Sequence, residues 1–203
     1  MKSLRERLSP PELIAYAANY YFKKGLTDAA GGNISIKVDQ KIYMTPTLAG
    51  TEYHWKIGPE DVVVGSAKKL KALKNHPRFS REGLSHLSIY EAFPNVSAIV
   101  HAHPKYVSAF VAQSKDIPPL LRASDKLGVL TYHEPAEPYS QDQADKIVKV
   151  LKENEARIEK KAGAVLMPRH GIIIASKNLM TALDVLERIN TNAFVVLAQK
   201  LLD

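Results

Sequence analysis

Apolar residues recur along this chain in two periods, and the alternation between the two sets the first expectation. Ser9 before Pro10 and Pro11 reads as a helix start, with a side-chain cap and then proline in the first turn. Leu13, Ile14, Tyr16, Ala17, Tyr20 and Tyr21 follow at helical spacing across Glu12–Lys24, and Gly25 ends the run. Ile34–Val38 and Lys41–Thr45 flank Asp39-Gln40 and predict a hairpin. Further strands are expected at Asp61–Val64, Val96–His101, Gly128–Tyr132, Ala164–Met167 and Gly171–Ala175. Helices are expected at Gly83–Phe93, from Pro104 to Gln113, at Gln141–Lys160 and at Leu179–Leu202. Lys68–Pro77 reads as a basic excursion between them.

Strands that alternate with helices suggest an α/β fold, but the early hairpin argues against a purely parallel sheet. A mixed sheet covered by helices on both sides is the natural packing. No repeat, low-complexity tract or linker interrupts the pattern, so residues 1–203 are expected to form a single domain.

Composition narrows the chemistry. With 45% hydrophobic and 24% charged residues, a large core and a solvated surface are expected. There is no cysteine, so disulfides and thiolate sites are ruled out and any transition metal must rest on histidine and carboxylate. A charged N-terminus and the lack of any long apolar run point to a cytoplasmic protein with no membrane partner. The net charge of +7 raises the question of nucleic acid, but the lysines are dispersed and interleaved with Glu153, Glu155 and Glu159. A general attraction for small anionic substrates is the expected consequence, with no nucleic-acid partner.

The candidate chemistry lies in the histidines. His101-Ala102-His103 ends an apolar strand, and alternate residues on a strand project to one face. Two imidazoles so placed suit two nitrogen ligands on one metal ion, and Pro104 stops the strand where a ligand can reach them. His170, in an Arg-His-Gly turn between two apolar strands, completes a set of three with an open position, the pattern of a catalytic site. His54, His76 and His86 read as surface or packing residues, and His133 as the one other candidate near a metal.

Five blocks in order then carry a resemblance: Gly32-Asn33-Ile34-Ser35, Thr45-Pro46-Thr47, Ser80-Arg81-Glu82, His101-Ala102-His103-Pro104 and Arg169-His170-Gly171. The chain resembles the class II aldolase/adducin family, which includes fuculose-1-phosphate and rhamnulose-1-phosphate aldolases. The resemblance implies a three-layer α/β/α fold with a mostly antiparallel central sheet, assembled as a homotetramer with intersubunit active sites. It implies a zinc-dependent aldolase (Zn²⁺ or another divalent transition metal) that cleaves a small ketose 1-phosphate to dihydroxyacetone phosphate and an aldehyde through a metal-stabilised enediolate. His101, His103 and His170 would hold the metal, and Glu82 would be the catalytic acid/base. Gly32, Asn33, Thr47 and Ser80 would bind phosphate. A tyrosine would protonate the leaving oxygen, with Tyr106, Tyr132 and Tyr139 as candidates.

Two departures from the family pattern bear on the substrate. Leu48 follows Thr47 where a glycine is usual, displacing the glycine to Gly50, and Arg81 replaces a serine. A guanidinium there could grip phosphate or select a carboxylate. Alternatives within the family are a dehydratase resembling methylthioribulose-1-phosphate dehydratase, with Asp125 as its acid, and a retro-aldol epimerase. A non-catalytic, adducin-like interaction domain is the reading outside enzymes. The basic stretch Lys68–Lys74 is a candidate cover for the pocket.

Overall fold

The computed structural model describes residues 3–201. A short helix α1 (Leu4–Arg7) leads into α2 (Pro10–Lys23), where Ser9 and Glu12 close a reciprocal cap as the Ser-Pro-Pro-Glu sequence requires. Then come β1 (Asn33–Val38), β2 (Lys41–Met44) and α3 (Ala49–Tyr53). A 3-10 turn at Pro59–Asp61 precedes β3 (Val63–Ser66), α4 (Leu70–Lys74), α5 (Gly83–Ala92), β4 (Ala98–Ala102) and α6 (Lys105–Val111). After a second 3-10 stretch at Arg122–Leu127 come α7 (Gln141–Glu153), α8 (Glu155–Lys160), β5 (Ala162–Met167), β6 (Gly171–Ser176) and α9 (Leu179–Ala198).

The six strands form one sheet in the order β3-β2-β1-β4-β6-β5, every neighbouring pair antiparallel. Period-two alternation divides its side chains between two apolar layers. Ile34, Val100, Ile174 and Leu166 point into one, with α2, α6 and α9. Ile99, Ile173, Val165 and Met167 point into the other, with α4, α5, α7 and α8. Helices therefore cover both faces, the three-layer α/β/α arrangement expected. Among the described residues no helix is long and apolar enough to cross a membrane.

Several local expectations are revised. Asp61 is a turn residue, because its carboxylate accepts the Gly58 N–H at 2.9 Å, and the strand starts two residues later. Gly128–Tyr132 is not a strand: Leu130 bridges Ile117 and Tyr132 bridges Leu166, each with a different partner, so no ladder propagates. The long helix from Gln141 breaks at Asn154, whose side chain donates back to the Val150 carbonyl at 3.0 Å. The basic excursion folds as α4 and packs Leu73 over Gly65 of β3; none of Lys68–Lys74 lines the histidine pocket. The last helix ends at Ala198, and Leu202 lies outside the described residues.

His86 shows what the packing reading of a histidine looks like. It is fully buried on α5, its Nδ1 2.7 Å from the Ser35 hydroxyl, which lies 2.8 Å from the Tyr90 hydroxyl. Burial drives its pKa down to about 3, so the ring is neutral at pH 7. The unfolded chain takes up this proton near pH 6.5, whereas the folded chain does so only near 3. The stability is therefore fully present above about pH 6.5 and falls as pH drops. Between pH 7 and 5 this residue should remove about 2 kcal/mol. Urea unfolding of wild type and His86→Gln at both pH values checks it: the variant should show the shallower loss.

Candidate functional site

The site sits at one end of the central strand pair. His101 lies in β4 opposite Asn33 of β1 and Ile173 of β6, and is 1% exposed. Its Nδ1 is 3.0 Å from the Ile172 carbonyl, a geometry that fixes Nδ1 as the protonated nitrogen and leaves the Nε2 lone pair free. His103 follows just past the strand end. Its Nδ1 donates to the Asp28 carboxylate at 3.2 Å, which again frees Nε2. The two Nε2 atoms stand 3.3 Å apart. Two lone pairs that face each other repel, and a cation between them removes the conflict.

His170 comes from the tight β5–β6 turn, where Arg169 adopts a left-handed φ of 55° and donates its N–H to the Val111 carbonyl. The three imidazole rings are 4.8 to 5.0 Å apart, centre to centre. One nitrogen from each can be chosen within 4.8 Å of the others, so His101, His103 and His170 could hold a metal ion. Burial lowers the pKa of all three, that of His170 to about 4, and the neighbouring positive charges add to the effect on His101 and His170. Neutral imidazole is the metal-binding form.

Glu82 sits at the position that caps α5, yet it makes no capping hydrogen bond. Its side chain is instead 4% exposed, with Oε1 3.6 Å from His170 Nδ1 and neither oxygen holding a hydrogen-bond partner. A helix-end charge does not explain this placement. Burial pushes the carboxyl up to about 7, while the Arg81 charge pulls the other way. A group so tuned can take or give a proton near neutral pH.

The candidate anion-binding residues line the same cavity of about 190 Å³: Gly32, Asn33, Thr47, Ser80 and Arg81 surround it with Glu82 and the three histidines. Asn33 donates its amide to Ser80 Oγ at 2.9 Å, and its own oxygen is buried without a partner. Gly31 and Gly32 are required by contact. A Cβ on Gly31 would run into the His103 ring, and Gly32 has φ of 114° against the His101 carbonyl. The Thr47 amide is already bonded to the Arg78 carbonyl, so only its side chain is left for a ligand. Leu48 lines the pocket with a left-handed φ of 59°, and Gly50, also in the lining, lies in α3 with no room for a Cβ against the Ala29 carbonyl and Trp55. The displaced glycine thus serves close packing at the cavity wall.

Of the three tyrosines, Tyr139 alone lines this cavity; Tyr106 packs on Phe194 and Tyr132 bridges β5. Asp125 lines a separate depression with Lys126 and Arg157. His133 is buried behind His170, close enough to depress its pKa, with Nδ1 donating to the Glu134 carbonyl.

Asp28 was not legible as a site residue. The sequence marks it as a turn former, and its Oδ1 does accept the Ala30 and Gly31 amides; that the same oxygen also holds His103 depends on a contact 75 positions away. Carboxylates that hold a ligand histidine strengthen its metal affinity. Asp28→Asn keeps an oxygen for the turn but loses the charge, and should weaken divalent metal binding about 10- to 100-fold. Competition against a chelating dye measures this; unchanged affinity would mean that the Thr27 hydroxyl on the His103 amide suffices to place the ring.

Converging imidazoles, a buried carboxylate and a glycine-lined cavity at a sheet end have the make-up of a metal-assisted active site. The chain belongs to the family described as class II aldolase and adducin N-terminal domain, whose model matches residues 12–197. Its relatives include a 3-oxo-tetronate 4-phosphate decarboxylase of Haemophilus influenzae, 26% identical over 96% of this chain and 91% of that one. An L-fuculose phosphate aldolase of the same organism is 29% identical, covering 79% and 69%. A 5-deoxy-D-ribulose 1-phosphate aldolase of Bacillus thuringiensis is 28% identical, covering 88% and 79%. The fold is that of a solved L-fuculose 1-phosphate aldolase, with a TM-score of 0.78 at 22% identity over 98% of this chain and 88% of that one. The L-fuculose-1-phosphate aldolase of Thermus thermophilus matches with a TM-score of 0.77 at 20% identity, covering 95% of each chain.

Proposed function

We propose that the protein is a zinc-dependent lyase that cleaves a small ketose 1-phosphate to dihydroxyacetone phosphate and an aldehyde. The observation that carries this reading is the unpartnered Glu82 carboxylate, buried beside three histidines whose lone pairs converge. In this reading residues 1–203 act as one catalytic unit, with Asn33, Ser80 and the Thr47 side chain on the phosphate.

His101, His103 and His170 would hold a divalent ion, which would supply positive charge where negative charge develops as the carbon–carbon bond breaks. Glu82 takes the proton from the hydroxyl that becomes the aldehyde oxygen and returns a proton to the carbon left behind. Its raised pKa makes both transfers accessible near neutral pH. The Glu82 carboxylate itself is buried, which limits the water that can compete for that proton. The reading includes assembly as a homotetramer, for which the exposed Tyr106–Phe194 pair is one available apolar patch.

The test is product analysis with fuculose, ribulose and methylthioribulose 1-phosphates. Carbon–carbon cleavage with release of dihydroxyacetone phosphate is expected; loss of water without cleavage would sink the reading. A dehydratase would need a different acid from Asp125 within this chain, because Asp125 opens onto another surface. Inversion of a carbon centre without net cleavage would point to the epimerase instead.

A further inference from the structure

Between α2 and β1, residues 27–32 form a loop with neither helix nor strand, and from Ala29 onward it lines the histidine pocket. Two side-chain oxygens tie this loop to itself and to a metal-ligand histidine at once. The buried Thr27 hydroxyl donates to the Gly31 carbonyl at 2.9 Å and accepts the His103 N–H at 3.2 Å. Asp28 Oδ1 accepts the Ala30 and Gly31 amides at 2.9 and 3.1 Å, and the His103 ring at 3.2 Å. The same two atoms therefore set the curve of the loop and the place of His103.

The start of the loop is anchored in the core. The Trp55 indole N–H donates to the Asp28 carbonyl at 2.7 Å, and Trp55 is itself buried, edge-on to Tyr21. The Thr51 hydroxyl holds the Ala29 carbonyl at 3.2 Å. The other end leaves no slack: a Cβ on Gly32 would come within 2.9 Å of Thr27 Oγ1, and Gly31 backs onto the His103 ring. The Asp28 carboxylate, by contrast, is half-exposed, so water competes for its hydrogen bonds unless their partners are held in place. A His103 ring whose Nε2 is engaged presents a fixed N–H to that carboxylate, and a ring free to turn does not.

We propose that Thr27 and Asp28 are positioning residues that couple occupancy of the histidine site to the order of loop 27–32, and through Gly32 and Asn33 to phosphate affinity. The proposal rests on the metal and phosphate reading above. With Nε2 engaged, His103 is pinned against Asp28 and the loop is ordered before an anion arrives, so anion binding no longer carries that entropy loss. Linkage makes the effect reciprocal: phosphate should tighten metal binding by the same factor.

Amide hydrogen exchange and calorimetry on chelator-treated and zinc-loaded protein test this, with glycerol 1-phosphate as the anion. In wild type, zinc should slow exchange of the Ala30 and Gly31 amides about 5- to 150-fold, the span of a typical coupling, and should raise glycerol 1-phosphate affinity. At saturating zinc, Asp28→Asn and Thr27→Val should lose most of that protection, and the zinc-dependent gain in affinity should fall about fivefold or more. Thr27→Ser keeps the hydroxyl and should retain both. Attraction between ion and anion through space alone would survive in Asp28→Asn and Thr27→Val, so an unchanged gain there overturns the proposal. Zinc that binds wild type and leaves both amides unprotected overturns it too. Zinc-dependent protection without any binding of glycerol 1-phosphate removes the phosphate reading and upholds the coupling of ion to loop. Absence of zinc uptake removes the metal reading and the coupling with it.

Discussion

Replacing Glu82 by glutamine should lower turnover about 10²- to 10⁴-fold, the usual range for loss of a positioned proton-transfer group. The expectation follows from three observations at one atom pair. The carboxylate is buried, no hydrogen bond engages either oxygen, and burial has raised its pKa to about 7. Glutamine keeps the shape and cannot exchange a proton. Divalent metal content should be retained in the variant, because the three imidazoles are unchanged. Single-turnover kinetics beside metal analysis separates the two effects. Full activity in Glu82→Gln would remove the acid/base assignment even with the metal in place.

His101→Ala should abolish both metal binding and activity, and it is the more disruptive change. His101 is the most buried of the three, and its Nδ1 is committed to the Ile172 carbonyl, so its Nε2 is the nitrogen it offers a metal and alanine removes that ligand outright. A ligand that binds only the folded state at a thousand times its dissociation constant stabilises by about 4 kcal/mol. Wild type should therefore gain several degrees in melting temperature when zinc is added to chelator-treated protein, and His101→Ala should gain none. Absence of a zinc-dependent shift in wild type would favour the interaction-domain branch of the family over an enzyme.

How much of this was readable beforehand differs between elements. The hairpin β1–β2, the strand carrying His101 and the two strands flanking His170 were legible because period-two patterning and turn residues both mark them. Gly128–Tyr132 has the right residues for a strand, but no neighbour supplies a ladder, and pairing is a property of the whole fold. The short α3 lies between left-handed Leu48 and His54, which have no sequence signature as plain as glycine. The site divides in the same way. Two histidines at i and i+2 on a strand share a face on local geometry alone, whereas Asp28 against His103, and Arg81 over Tyr139, depend on contacts between distant segments.

Ser80, Arg81 and Glu82 are consecutive in the turn before α5, yet their side chains meet Asn33, the Tyr139 ring and the histidines respectively. Glu82 is buried and Arg81 exposed, so the two neighbours are under opposite constraints. A change at position 81 therefore meets solvent and the Tyr139 ring, whereas a change at position 82 meets the core and the histidines.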